Sequence, residues 1–184
     1  MQDAIHYTNI LLHGWTDEKA RCYLEESRWP SGKIQCPRCG SRQPIYKQKR
    51  KDVAGYYRCP NRHKSRSNKD GSPDRPLVFT FRTDTILTRS HVPLAKWLYC
   101  LTLFALAPKR SLTPSKVSGL IGVDRKTASS ILKLIGALRY ETIPNEANNQ
   151  FLLAVMSKQQ VEADRLKKMQ VKYPSALNPH RAPL

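Results

Sequence analysis

The sequence predicts an α+β fold in which a small sheet-forming segment precedes an all-α segment, and three observations carry that prediction. Between residues 31 and 90, short β-prone pieces (45–46, 56–57 and 78–82) alternate with polar turns containing Gly and Pro. From His91 onward, apolar residues recur at helical spacing. Two cysteines two residues apart, in Cys36-Pro37-Arg38-Cys39-Gly40, stand in the polar region, where little apolar surface is available to bury a thiol.

Each element has local signals. Residues 16–29 read as a helix, with Thr16 or Asp17 as cap, Asp17 and Glu18 at the positive end of the dipole, and Pro30 as stop. Ala20, Tyr23 and Leu24 form its apolar face, with Trp15 just before, so 1–30 is an N-terminal helical segment. Within the sheet-forming segment 31–90, residues 64–76 (KSRSNKDGSPDRP) are nearly devoid of apolar side chains and are expected to form a mobile basic insert. Pro93 suits a first helical position, and that helix runs to Ala107 before Pro108. Thr113 caps a helix reaching about Ile121, Gly122 marks a turn, and Asp124 caps a third helix ending near Arg139. A last helix, 149–170 within a C-terminal segment 141–171, sets Phe151, Leu152, Val155, Met156, Leu166 and Met169 on one side. Its sequence leaves open whether it folds back on the core or forms a homodimer. The Pro-rich tail, 172–184, is expected to be disordered.

Charge narrows the function. The 184 residues include 32 Lys and Arg against 14 Asp and Glu, a formal net charge of +18. Basic and acidic residues number three and five in 1–30, fifteen and four in 31–90, eight and one in 91–140, and six and four in 141–184. The excess therefore lies mid-chain, with the motifs, rather than in a basic tail. Such a surplus selects polyanions, because each Lys or Arg on a phosphate releases condensed counterions; an anionic membrane or an acidic protein would also attract it. The N-terminus has neither a basic n-region nor a small-residue cleavage site. The longest apolar run, 94–107, is shorter than the roughly 20 residues of a spanning helix. Five cysteines without a secretory signal favour metal binding or free thiols over a disulfide framework. A cytoplasmic, nucleoid-associated protein with no membrane partner is expected.

The cysteine spacing specifies the metal. In a Cys-x2-Cys turn both sulfurs aim at one ion, and Gly40 permits the tight backbone of a zinc knuckle. Cys59 follows twenty residues after Cys39, and His63 four later. Cys36, Cys39, Cys59 and His63 make a Cys3His set for a structural Zn2+ in a small zinc ribbon. Because ribbons ordinarily repeat Cys-x2-Cys, the Cys-x3-His half is the weaker, and His13 and His91 remain alternative fourth ligands. Cys22 and Cys100 lie on apolar helix faces and read as core residues. A catalytic zinc would need an open position and a general base, and no Asp or Glu adjoins the cluster in sequence.

Residues 111–139, SLTPSKVSGLIGVDRKTASSILKLIGALR, have the form of a helix-turn-helix within the 91–140 segment. Val117, Leu120, Ile121 and Val123 supply an apolar face and turn plug, continued by Ala128, Ile131, Leu132, Ile135 and Leu138. In such a unit the start of the second helix enters the major groove. It would present Arg125, Lys126, Thr127, Ser129 and Ser130, with Lys133 one turn on. Arg and Lys suit guanine edges or phosphates, and Ser and Thr either. Lys116, Arg82 and Arg89 are further candidate contacts. An ordinary helical hairpin with a solvated basic face is the competing reading.

Several short blocks occur in an order that resembles a known family. They are Arg28-Trp29-Pro30-x-Gly32, the CPRCG knuckle, Tyr57-x-Cys59, Phe81-Arg82-Thr83-x-Thr85-Ile86, Pro93-Leu94-x-x-Trp97 and Val123-Asp124-x-Lys126-Thr127-Ala128. Over about residues 15–140 the chain resembles the N-terminal half of bacterial insertion-sequence transposases, in which a zinc ribbon and helix-turn-helix precede a DDE-type nuclease domain. The resemblance implies binding to DNA, at transposon ends. Where the family has its second cysteine this chain has Arg62, and 64–76 looks like an insertion. A nuclease domain needs more than roughly 100 residues, and 44 follow Tyr140. The family's catalysis is therefore not expected here.

Together these readings predict a DNA-binding protein that is not an enzyme, recognising double-stranded DNA and working beside a separate nuclease subunit. Two alternatives stand: an RNA-binding or assembly scaffold using the ribbon and basic loop, or a truncated transposase relic without a role.

Overall fold

The computed structural model describes residues 1–41, 45–50, 53–63, 75–108, 111–139 and 149–172. The insert as far as residue 74 and the tail from 173 lie outside the described residues. In chain order the elements are α1 (Gln2–Leu11), α2 (Asp17–Arg28), β1 (Tyr46–Arg50), β2 (Val53–His63), β3 (Arg75–Phe79), α3 (Leu94–Leu106), α4 (Pro114–Ile121), α5 (Arg125–Arg139) and α6 (Gln150–Lys172).

The helix starts follow their capping residues. Thr16 Oγ1 accepts from the Lys19 N–H (3.3 Å), and Thr113 Oγ1 from the Lys116 N–H (3.4 Å). Asp124 Oδ1 accepts from the Thr127 N–H (2.8 Å). Each cap satisfies a backbone donor that has no partner inside its helix. Helix α4 ends where Gly122 turns left-handed (φ 60°), a conformation that glycine adopts without a Cβ clash. Two further bonds set the turn between α4 and α5: Lys96 Nζ to the Gly122 carbonyl (3.0 Å) and Ser118 Oγ to the Val123 carbonyl (2.6 Å).

The sheet is antiparallel in the order β1-β2-β3. Tyr57 pairs with Phe79 across β2 and β3, and both are buried edge-on against Trp29 at the end of α2. The last strand begins earlier and ends earlier than the 78–82 run suggests. Arg75 and Pro76, assigned by sequence to the insert, are already in β3. After Phe79 the threonine hydroxyls take over the backbone: Thr83 Oγ1 accepts from the Thr80 N–H (2.9 Å), and Thr88 Oγ1 from the Thr85 N–H (3.1 Å). Local side-chain bonds of this kind compete with a ladder and fold 80–90 into successive turns.

Helix α3 is central, packing on α1, α2, α4, α5 and α6. One cluster of buried residues runs from Ala20 and Leu24 through Trp29, Tyr57 and Phe79 to Trp97, Leu98, Ile131, Leu152 and Met156. The core is thus continuous across the composition shifts near residues 30 and 90.

Helix α6 folds back on α2 and α3. Its buried positions are Phe151, Leu152, Val155, Met156, Gln159 and Ala163, whereas Met169, expected in the stripe, is exposed. At about 100° per residue the 152-156-159-163 line passes through Gln170 rather than Met169, and Gln170 Oε1 accepts from the Tyr7 hydroxyl (2.7 Å). Cys100 is buried, but Cys22 is only half-buried, beside Glu18 and Arg21. No described helix is long and apolar enough to cross a membrane.

Asn149, buried at the start of α6, ties it to the turns: its Oδ1 accepts from the Ile86 N–H (2.8 Å). Asn149→Ala leaves that buried donor without its acceptor and is expected to cost about 1–3 kcal/mol. Urea unfolding checks this, and an unchanged midpoint would refute it.

Candidate metal centre and nucleic-acid interface

The knuckle is built by its backbone. The Gly40 N–H returns to the Cys36 carbonyl (2.9 Å) and the Cys36 N–H to the Ser41 carbonyl (3.2 Å), with Gly40 left-handed at φ 65°. This tight turn brings Cys36 and Cys39 to one side.

Cys59 and His63 pose a geometric problem. Four residues of regular strand separate two Cα atoms by about 13 Å, too far for one tetrahedral ion. The register resolves it. Arg58 pairs with Val78 and Arg62 with Pro76, so β2 advances four residues while β3 retreats two. The surplus bulges out and draws Cys59 and His63 together. Ligand atoms of Cys36, Cys39, Cys59 and His63 all lie within 4.8 Å of one another. His13 and His91 are exposed and outside this group, which removes them as fourth ligands.

The spacings fit zinc. Tetrahedral Zn2+ with ordinary bond lengths has edges of about 3.8 Å between sulfurs and about 3.5 Å from sulfur to nitrogen. Cys39 Sγ and Cys59 Sγ are 3.8 Å apart, and Cys36 Sγ and His63 Nε2 3.6 Å. A disulfide, at about 2.0 Å, is a different geometry. The Asn61 amide donates to Cys39 Sγ (3.5 Å), the kind of outer bond that orients a metal-bound thiolate. Burial pushes the Cys59 thiol up to about 12, reinforced by Cys36 and Cys39. Cys39 is also desolvated, but hydrogen bonds from the Ser41 backbone and Asn61 hold it below the usual thiol range. Three crowded sulfurs cannot share negative charge cheaply by themselves; a divalent cation reverses that balance. The four side chains fit a structural zinc ion that stabilises the ribbon.

The centre is tied to the turns that follow β3. Arg28 packs over the Trp29 and Phe151 rings and donates to the Phe81 and Thr83 carbonyls, while Arg38 Nε reaches Asp84 Oδ2 (3.4 Å). Burial lowers the Arg28 guanidinium to about 10, against the opposing pull of Asp84 and Cys36. Nothing in the spacing of the sequence marks Arg28 for this role, since the Phe81 and Thr83 carbonyls it bonds lie more than fifty residues away.

The basic candidates divide by position. On α5, Ala128, Ile131, Ile135 and Leu138 face the core. Arg125, Lys126, Ser130 and Lys133 are exposed, with Ser129 half-buried, on an arc of roughly 140° along the other side. The Thr127 hydroxyl is held by Asp124 Oδ2 (2.5 Å), and together with the Thr127 N–H it keeps that carboxyl below the usual range. Lys116 and Arg89 are exposed. Arg82 is half-buried and donates to the Ser90 carbonyl (3.0 Å), bracing a turn.

No curated protein and no solved structure matches the chain. Residues 15–61 match the family model of the transposase zinc-ribbon domain; this stretch, holding α2, the knuckle and Cys59 but stopping short of His63, is similar to that domain.

Proposed function

We propose that the chain is a nucleic-acid-binding protein that recognises duplex DNA, with α4 and α5 acting as a helix-turn-helix and the zinc ribbon adding basic surface. The observation that carries this reading is the exposed arc of α5, which bears Arg125, Lys126 and Lys133 and has no acidic side chain anywhere along the helix. Similarity of residues 15–61 to a transposase domain supports it. In this reading the chain binds rather than cleaves, and strand chemistry belongs to a separate nuclease subunit. The ribbon and Lys116 hold phosphates, which position the protein, while Arg125 touches base edges.

The test is selection from a random duplex library at about 150 mM salt, where simple charge attraction is weakened. An enriched motif is expected, and Arg125→Ala is expected to weaken binding to it by about 1–3 kcal/mol. Failure to enrich any duplex, with retention of structured RNA instead, would replace duplex recognition by RNA binding.

A further inference from the structure

A cleft of about 330 Å³ lies between the turn at residues 86–92 and α5. Its floor is apolar, formed in part by Ile86, Trp97 and Ile131, and its rim carries Arg89 from the turn and Lys126 and Ser130 from the helix. Among the described residues, no acidic one lines it. Among the described residues, neither the Arg89 nor the Lys126 side chain has a hydrogen bond or ion pair. The single acid of residues 111–139, Asp124, is occupied in capping α5. Two unpaired cations from different elements thus converge on one concave surface, which is continuous with the exposed arc of α5.

The turn holds Arg89 in place. Arg82 and Trp97 both bond Ser90, the latter through Nε1 to Oγ (2.8 Å), and the Ser90 N–H returns to the Leu87 carbonyl (3.2 Å). Arg89 itself sits at φ 59°. A left-handed backbone is costly for a residue with a Cβ and cheap for glycine. A strained position kept for an arginine, whose head is free, points to a use for that head.

We propose that this cleft seats one phosphodiester of a nucleic-acid backbone, its phosphate clamped between Arg89 and Lys126 and its sugar against the apolar floor. The contact would fix how deeply α5 turns into its partner. It rests on the nucleic-acid reading above and adds to it a phosphate site made jointly by the turn and the helix.

The test is Arg89→Gly in the full zinc-loaded chain, a substitution the left-handed backbone accommodates. Binding to a 20-base-pair duplex is measured as a function of salt. The slope of log K against log salt is expected to fall by about one, with affinity roughly eightfold lower at 0.1 M salt and the loss closing toward 1 M. The loss is the same on every sequence, and the thermal midpoint does not drop. An unchanged slope, with the parent chain binding normally, would overturn the cleft and leave duplex binding standing. If the parent chain binds no duplex, that reading fails, and dimethyl phosphate followed through amide shifts of 88–92 and 126–130 decides the cleft. Shifts abolished by Arg89→Gly keep a phosphate-ester site; their absence removes it.

Discussion

Removing zinc, by chelation or by Cys59→Ser, is expected to unfold the sheet while much of the helical core persists. The free energy of a structural zinc ion is about 10–16 kcal/mol in small zinc-finger peptides, comparable to the roughly 5–15 kcal/mol that holds a whole domain together. Here the ion replaces what the ribbon lacks. Among the described side chains of its strands, only Tyr57, Cys59 and Phe79 are buried, and the bulge that gathers Cys59 and His63 forfeits ladder bonds. Amide exchange reads the result: protection at Tyr57 and Phe79 should vanish on chelation, while Leu98 and Leu101 stay protected. Retained protection at Tyr57 would refute a structural ion. Cys22→Ser, away from the cluster, should change nothing in zinc content. The pH dependence has a definite sign. Cys59, pushed up to about 12 by burial and by its neighbouring sulfurs, carries a proton at neutral pH until metal displaces it. Binding therefore releases protons, and affinity rises with pH. A competing chelator should strip the chain more readily at pH 6 than at pH 8.

Trp97→Ala is expected to cost about 3–5 kcal/mol, the range for deleting a large buried aromatic side chain. Trp97 is 2% exposed, and α3, which carries it, packs on five other helices. Its indole N–H also bonds Ser90, so the truncation opens a cavity and unties the turn that carries Arg89. Trp97→Phe keeps most of the volume and should cost clearly less. Urea unfolding at constant m would show the difference as a shift in midpoint. A loss below about 1 kcal/mol for Trp97→Ala would mean that the surrounding helices close over the gap, contrary to a packed core.

Local features of the structure were legible in the sequence. Thr16, Thr113 and Asp124 cap the helices whose starts they mark, and Gly122 turns left-handed where a break is needed. These depend on atoms within four residues of each other, so the sequence states them directly. The cysteine knuckle is of the same kind. Periodicity also placed the buried face of α5, because Ala128, Ile131, Ile135 and Leu138 share one side whatever they pack against.

Three features depended on contacts between distant parts of the chain. His63, named from the Cys-x3-His spacing with His13 and His91 as alternatives, joins the three cysteines because a bulge against β3 shortens the path from Cys59, and strand spacing alone gives no sign of that bulge. Arg82 and Arg89 look alike in sequence, yet one braces Ser90 and the other faces a cleft, since the threonine turns orient them differently. Helix α6 has an apolar stripe suited to either a partner or its own core. It is held to the core by Asn149 on Ile86, Gln170 on Tyr7 and Gln159 on Tyr23, contacts spanning 63 to 163 residues. Sequence by itself determined the caps, the buried face of α5 and the cysteine knuckle, whose physics is local, and it named the Cys3His set; tertiary structure alone decided between His63 and its alternatives, the division of labour among the arginines and the docking of α6, because each needs a partner that only the folded chain brings within reach.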